Sequence, residues 1–154
     1  MTPNQSVTAF VYRENQLLDE KRYDEWLALF DPEGMYWVPS AADQEDPIQQ
    51  ISITYEDPVL LEMRIGRLCH PNAHALARPI RTSRMVSNLQ VNVADNLIQA
   101  DARFVLYEWQ GDELRQFAGS VRYLLSCSEP YRIHLKRVDL VNVEQAFESI
   151  QIIL

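Results

Sequence analysis

The sequence predicts an α+β domain, because its hydrophobic period changes once along the chain. In the first half, apolar residues recur at the spacing of a helix, and from residue 89 onward they alternate with polar residues as in strands. Long strands in succession form an antiparallel sheet that has to curl. The helical half is the segment available to cover its concave face. We therefore expect a cone in which a strongly curved antiparallel sheet wraps around N-terminal helices, as a single domain spanning residues 1–154.

Three helices and one short strand are predicted in the first half. The first two helices are indicated by apolar faces comprising Phe10, Val11, Leu17, Leu18, Tyr23, Trp26, Leu27 and Phe30. The Asp31-Pro32-Glu33-Gly34 stretch is predicted to end the second helix, followed by a strand over 35–39 and a polar, acidic loop over 40–50. A third helix is expected to start at Asp57-Pro58, with Asp57 as its N-cap.

The second half is predicted to contain four long strands after a connection over residues 69–83. The strand interiors are marked by alternating apolar residues around Leu89, Phe104, Val121 and Leu135. The last strand, over about 132–143, loses its alternation between Leu135 and Val138, which indicates a β-bulge there.

Bulk composition excludes several classes of function. A chain of 154 residues, 47% of them hydrophobic, can bury roughly 70% of its unfolded surface and form one core. A net charge of -8 argues against nucleic acid as a partner. No apolar run approaches the roughly 20 residues of a membrane span. Two cysteines are a poor disulfide framework, so we expect a cytoplasmic protein.

Positive charge is concentrated in one segment. Residues 13–62 contain 13 acidic and 3 basic residues, whereas residues 64–84 contain five arginines and no acid. Arg78, Arg81 and Arg84 are therefore candidate docking residues, since arginine pairs bidentately with carboxylates at interfaces. The alternative is that they pair with the acidic first half of their own chain.

Catalytic motifs are sparse. Pro71 separates His70 from His74, so the two do not form a metal-binding face, and Cys127 lies in an apolar phase that predicts a buried, inert thiol. Acid–base chemistry within the hollow is the option left open, since a buried carboxylate or imidazole beside a phenol can move a proton. Its candidates are Tyr36, Asp101, Tyr123 and His134. The competing interpretation makes both tyrosines core residues and places Asp101 and His134 on the polar side of their strands.

Several motifs together resemble the small (β) subunit of Rieske-type aromatic-ring-hydroxylating dioxygenases. The matching residues are Tyr12-Arg13-Glu14, Leu17-Leu18-Asp19, Tyr23-Asp24-Glu25-Trp26-Leu27, Tyr36-Trp37-Val38-Pro39, Arg64-Ile65-Gly66-Arg67-Leu68, and Pro79, Arg81, Thr82 and Asn88. Met85 stands where this family often has histidine. The resemblance covers nearly the whole chain.

This resemblance implies a cystatin-like or NTF2-like cone and a structural role. Such β subunits associate with a large α subunit, commonly as three α and three β chains, and a β trimer is expected. The α subunit would hold the Rieske [2Fe–2S] cluster and the mononuclear iron, with no cofactor in this chain. The candidate interface then comprises Arg78, Arg81, Arg84, Asn88, Tyr36 and Trp37.

Three functions follow as hypotheses, the third of which is a dimeric or trimeric binding module with no enzyme partner. The first is a non-catalytic subunit of an enzyme that dihydroxylates an aromatic compound, using O2 and electrons from NAD(P)H. The alternative is a stand-alone enzyme of the ketosteroid-isomerase or polyketide-cyclase type, since one fold hosts both uses. A cone filled by Trp26, Phe30 and Phe104 would favour the first, and a sealed pocket with Asp or His facing Tyr would favour the second.

Overall fold

The computed structural model describes residues 2–69, 79–143, 150 and 152–154. Three helices and six strands follow one another in these ranges. In chain order they are α1 (Pro3–Asp19), α2 (Tyr23–Leu27), β1 (Phe30–Val38), β2 (Thr54–Glu56), α3 (Pro58–Cys69), β3 (Ile80–Ala94), β4 (Leu97–Gln110), β5 (Glu113–Ser126) and β6 (Ile133–Leu140). The predicted α+β class and order of helices are confirmed.

The helix starts follow local sequence signals. A capping box opens α1, in which the Thr2 hydroxyl accepts from the Gln5 N–H and the Gln5 side chain accepts from the Thr2 N–H. At α3, the Asp57 carboxylate accepts the N–H of Leu60 at 2.9 Å, and Pro58 is the first helical residue. The predicted N-cap at Asp57 is confirmed.

The predicted end of the second helix at residues 31–34 is wrong, because α2 already ends at Leu27 and β1 begins at Phe30. Phe30 pairs with Ile133 of β6, and a Cβ on Gly34 would lie 2.3 Å from the main-chain oxygen of Ile133. Gly34 therefore permits two strands to approach closely, and this need for a glycine resembles a turn signal in the sequence.

The six strands form one sheet in the order β2-β1-β6-β5-β4-β3. Neighbouring strands are antiparallel except for β1 and β6, which are parallel, a difference from the fully antiparallel sheet predicted. The predicted connection over 69–83 is too long, since β3 starts at Ile80. The β-bulge predicted between Leu135 and Val138 lies at His134, because Leu124 pairs with Leu135 while Leu125 pairs with Ile133.

One face of the sheet packs against the helices and forms the core. Its large buried side chains include Trp26, Phe30, Phe104, Phe117 and Tyr123. Cys127, predicted to be buried, is exposed because β5 ends at Ser126. Across the described ranges, no helix is both long and apolar enough to span a membrane.

Candidate functional site

A charged cluster lies at the centre of the cone, around Glu14 of α1. The Glu14 carboxylate is fully buried and accepts hydrogen bonds from Trp26 Nε1 at 2.7 Å, Tyr123 OH at 2.6 Å and Lys136 Nζ at 2.8 Å. These donors lie on α2, β5 and β6, so one carboxylate connects the helices to the sheet. Three donors, one of them cationic, offset the desolvation of the buried anion.

Lys136 neutralises this carboxylate. Its side chain is 2% exposed, and the ammonium also donates to the main-chain oxygen of Leu154 at 2.8 Å. Burial lowers the pKa of Lys136, and the neighbouring Glu14 opposes that shift. Burial, together with the charge of Glu14, raises the pKa of Tyr123 well above its ordinary value, so this phenol is a proton donor at neutral pH.

Residues 152–154 pack into the cone beside Lys136. Ile152, Ile153 and Leu154 are 5%, 1% and 4% exposed. The Leu154 N–H donates to the Tyr36 hydroxyl at 2.9 Å, and Arg84 donates to the main-chain oxygen of Ile153. The cavity left beside Lys136 and Leu154 has a volume of about 10 Å³. A space of this size is no larger than a single water requires, so a substrate does not fit.

Arg84 belongs to this interior. Its side chain is 4% exposed and lies 2.5 Å from the Asp19 carboxylate, which also accepts from the Thr82 hydroxyl and the Arg84 N–H. Arg81 lies three residues earlier on β3 and is exposed on the opposite face, as the two-residue period of a strand requires. Arg84 thus pairs with the acidic first half of its own chain, one of the two alternatives for the arginines.

The other residues of the candidate interface lie apart from one another. Arg78 is outside the described residues. Asn88 is exposed at a bulge in β3, with a φ of 57°. Tyr36 and Trp37 are 2% and 5% exposed, and the chain's own residues cover them. Burial raises the pKa of Tyr36 well above its ordinary value.

Trp37 shows how this cover is built. The Arg137 guanidinium lies 4.4 Å from the centroid of the indole ring, and the indole N–H donates to Ser52 Oγ at 2.9 Å. Its aromatic surface is therefore already occupied within the chain.

The structure does not bring together the four residues considered for acid–base chemistry. Tyr36 and Tyr123 point into the core, whereas Asp101 lies on the outer face and pairs with Arg122 at 2.7 Å. His134 is half-buried at the β6 bulge. His70 and His74 lie outside the described residues. Among those that are described, no three His, Cys, Asp or Glu side chains converge as a metal site would require.

The outer face of the sheet has a charged half. An open cleft of about 630 Å³ separates the loop around Gln44 from Asp101, Arg103, Arg122 and Asp139. Most of these charges already have partners, since Asp101 pairs with Arg122 and Asp139 pairs with Arg137 at 2.8 Å. The cleft is therefore lined mainly by neutralised charges.

The other half of the outer face is open and carries exposed apolar side chains among polar ones. Trp109 of β4 lies directly opposite Leu114 of β5 and Arg81 of β3. Trp109 and Leu114 are 44% and 58% exposed, and Met85, two rows away on β3, is 52% exposed.

Sequence reasoning missed the Glu14–Lys136 pair. A signal was present, because each residue stands in the buried phase of its element: Glu14 on the apolar stripe of α1, and Lys136 in phase with Val138 and Leu140 of β6. Two opposite charges at core positions indicate a buried ion pair, since neither is tolerated there alone.

In the part of the chain that the structure describes, an interior packed around Glu14 and an open outer face define a protein of the α+β cone class. The family model for the ring hydroxylating beta subunit matches residues 13–144. The chain belongs to this family of dioxygenase β subunits, as the sequence motifs indicated.

Relatives of known function agree with this assignment. The chain is 33% identical to the toluate 1,2-dioxygenase β subunit of Pseudomonas putida over 150 residues, which cover 90% of each protein. It is 36% identical to the small subunit of 2-halobenzoate 1,2-dioxygenase from Burkholderia cepacia over 103 residues, 64% of this chain and 62% of that protein.

A solved structure shows the same fold over the full length. The β subunit of benzoate 1,2-dioxygenase from Burkholderia mallei superposes with a TM-score of 0.81 and 26% identity, over 99% of both chains. The predicted cone fold is therefore confirmed.

Proposed function

We propose that this chain is a structural, non-catalytic β subunit of an aromatic-ring-hydroxylating dioxygenase, which dihydroxylates an aromatic compound using O2 and electrons from NAD(P)H. The observation that carries this proposal is the occupied centre of the cone: residues 152–154 leave about 10 Å³ beside Lys136. The place where a cone enzyme would bind its substrate is thus occupied by the chain itself. The chain contributes its shape and its exposed surface to the assembled enzyme.

Subunits of this family work in complexes with a larger α subunit. We assign the Rieske [2Fe–2S] cluster and the mononuclear iron to that α subunit. The described side chains of this chain do not fit either group, since no three potential ligands converge. Three α and three β chains are proposed for the assembly, with the β chains in mutual contact.

An aromatic carboxylate is the proposed substrate of the assembled enzyme. The support comes from the relatives, whose names specify 2-halobenzoate, toluate and benzoate. The ring to be hydroxylated would be bound by the α subunit, so the residues that select it lie outside this chain.

The stand-alone isomerase or cyclase is not favoured. That reaction requires a pocket in which a carboxylate or imidazole faces a phenol. Asp101 lies on the opposite face of the sheet from Tyr36 and Tyr123, and Glu14 is already engaged by four side-chain donors.

Purification from the native cells tests the proposal. A tagged copy of this chain should bring down a larger chain with C-x-H and C-x-x-H ligand pairs, together with iron and sulfide in the complex. The complex should consume O2 with an aromatic acid and a reductant, and the isolated chain should not. Turnover of an aromatic or carbonyl compound by the isolated chain would overturn the proposal.

A further inference from the structure

Arg84 of β3 has a buried donor that the surrounding side chains and main chain do not satisfy. The rest of its guanidinium is engaged: Nη1 donates to the Asp19 carboxylate and to Thr82 Oγ1, and Nη2 donates to the main-chain oxygen of Ile153. Nε, in contrast, is buried and has no hydrogen-bond partner within the described part of the chain. A buried N–H in this state has lost its hydration without gaining an acceptor, so it favours a site that supplies one.

The small cavity beside Lys136 and Leu154 is bordered by Arg84 as well. Its volume of about 10 Å³ is close to the smallest space that holds one buried water. Asn15 and Tyr123 also line it and bring polar atoms to it. The apolar part of its lining comprises Phe104, Val121 and Val138.

Two polar neighbours of this cavity can accept the protons of a water. Asn15 uses its amide nitrogen as a donor, to the main-chain oxygen of Val11 at 2.9 Å, so its amide oxygen is available as an acceptor. The Tyr123 hydroxyl donates to Glu14 at 2.6 Å and receives a long contact of 3.4 Å from Asn15, so it too can accept. A water that accepts from Arg84 Nε and donates to both oxygens makes three hydrogen bonds, about the usual number for a buried water.

The charges around the cavity favour a neutral ligand over an ion. Arg84 pairs with Asp19 at 2.5 Å and Lys136 pairs with Glu14 at 2.8 Å, so the two cations of this interior are already balanced by two carboxylates. A halide or a metal ion would add an uncompensated charge away from bulk solvent, which is costly. Water brings an acceptor and two donors without a charge.

We propose that this cavity is a binding site for one water molecule, which accepts the Arg84 Nε–H and donates to Asn15 and Tyr123. The water joins β3 to α1 and β5 inside the cone. With it, every nitrogen of the Arg84 guanidinium has a hydrogen-bond acceptor. The site belongs to this chain alone, so it does not depend on the α subunit.

Nuclear magnetic resonance of the isotopically labelled full chain tests the site in solution. The Arg84 Nε–H should show cross-relaxation with water that has the sign of a long-lived contact. The Arg122 Nε–H is the matched control, because it lies on the outer face and donates to Asp101 at 2.7 Å; it should show chemical exchange with the solvent only. An Arg84 Nε–H that shows no cross-relaxation with water would overturn the proposal.

Val138→Ile provides the second test, because its added methyl group takes up volume at the cavity. Val38→Ile is the matched control, since both valines are 1% exposed and Val38 does not border the cavity. Magnetic relaxation dispersion of water counts long-lived internal waters. Val138→Ile should have one fewer than the native chain, and Val38→Ile the same number. Equal counts in the native chain and Val138→Ile would contradict the site.

Crystals of the native chain distinguish water from an ion. Density for a water should lie about 2.9 Å from Arg84 Nε, and a soak in bromide should leave it unchanged. A cavity without density, or an anomalous bromide peak inside it, would refute the binding of water.

Discussion

Glu14 and Lys136 meet at 2.8 Å in the centre of the cone, and neither side chain is more than 2% exposed. They are 122 residues apart in the chain and belong to the first helix and the last strand. A buried pair of this kind adds little net stability over an apolar pair, but breaking it leaves an uncompensated charge. It therefore penalises any arrangement in which α1 is displaced from the sheet.

Replacing Lys136 by Met tests this role. The variant should lose about 3–5 kcal/mol of unfolding free energy, because Glu14 stays buried without a cation. Urea denaturation of the isolated chain measures the loss. The double variant Glu14→Gln/Lys136→Met, which buries no charge at this site, should recover more than half of it. A double variant as unstable as the single one would show that packing around Lys136, rather than charge, is responsible.

The packing of residues 152–154 inside the cone gives a second prediction. Ile153→Ala should cost about 2–5 kcal/mol, because a 1%-exposed isoleucine is removed from a core with little room to collapse. Val59→Ala, at a 65%-exposed position on α3, is the matched control and should change stability by less than about 0.5 kcal/mol. Equal effects in thermal or urea unfolding would mean that residues 152–154 do not pack in the cone in solution.

Substitutions of Arg81 and Arg84, the two arginines of β3, should differ in their effect on the unfolding free energy. Arg84→Met removes the partner of Asp19 and a donor to Ile153, so it should destabilise the isolated chain by about 2 kcal/mol. Arg81→Met, on the exposed face, should change the unfolding free energy by less than about 0.5 kcal/mol. If Arg81→Met were the more damaging to the isolated chain, Arg81 would be a folding residue rather than an interface residue.

Much of the fold could be predicted because its signals are local. Asp57 and Pro58 start α3 through contacts within one helical turn, and alternation along β4 and β5 reports which face is buried. The extent of β1 could not be predicted in this way. Gly34 has to be small because Ile133 approaches it from β6, about a hundred residues later in the chain.

The cluster in the cone was harder to predict because its members are far apart in sequence. Glu14 meets Tyr123 and Lys136 only after the sheet has curled over α1. Alternation along β3 places Arg81 and Arg84 on opposite faces of the sheet, although they are adjacent members of one basic segment. A charge pattern shows where cations are concentrated, whereas the strand period decides which of them face the core.

Glu108 gives the final prediction, a dependence of stability on pH. This residue on β4 is 3% exposed, and burial raises the pKa of its carboxyl although Arg115, at 3.5 Å, opposes the shift. Between the ordinary value of 4.5 and the raised pKa, the folded chain therefore binds more protons at this site than the unfolded chain. Glu108 should accordingly favour folding at low pH and lose that contribution as pH rises through this window.

The Glu108→Gln variant isolates this effect, because its side chain stays neutral at every pH. The unfolding free energy of the native chain minus that of the variant should fall as pH rises from 4.5 and level off above the raised pKa. Urea denaturation of both proteins at half-unit pH steps gives this difference, in which the contributions of the other carboxylates cancel. A difference that rises with pH would mean that Arg115, rather than burial, dominates the environment of Glu108.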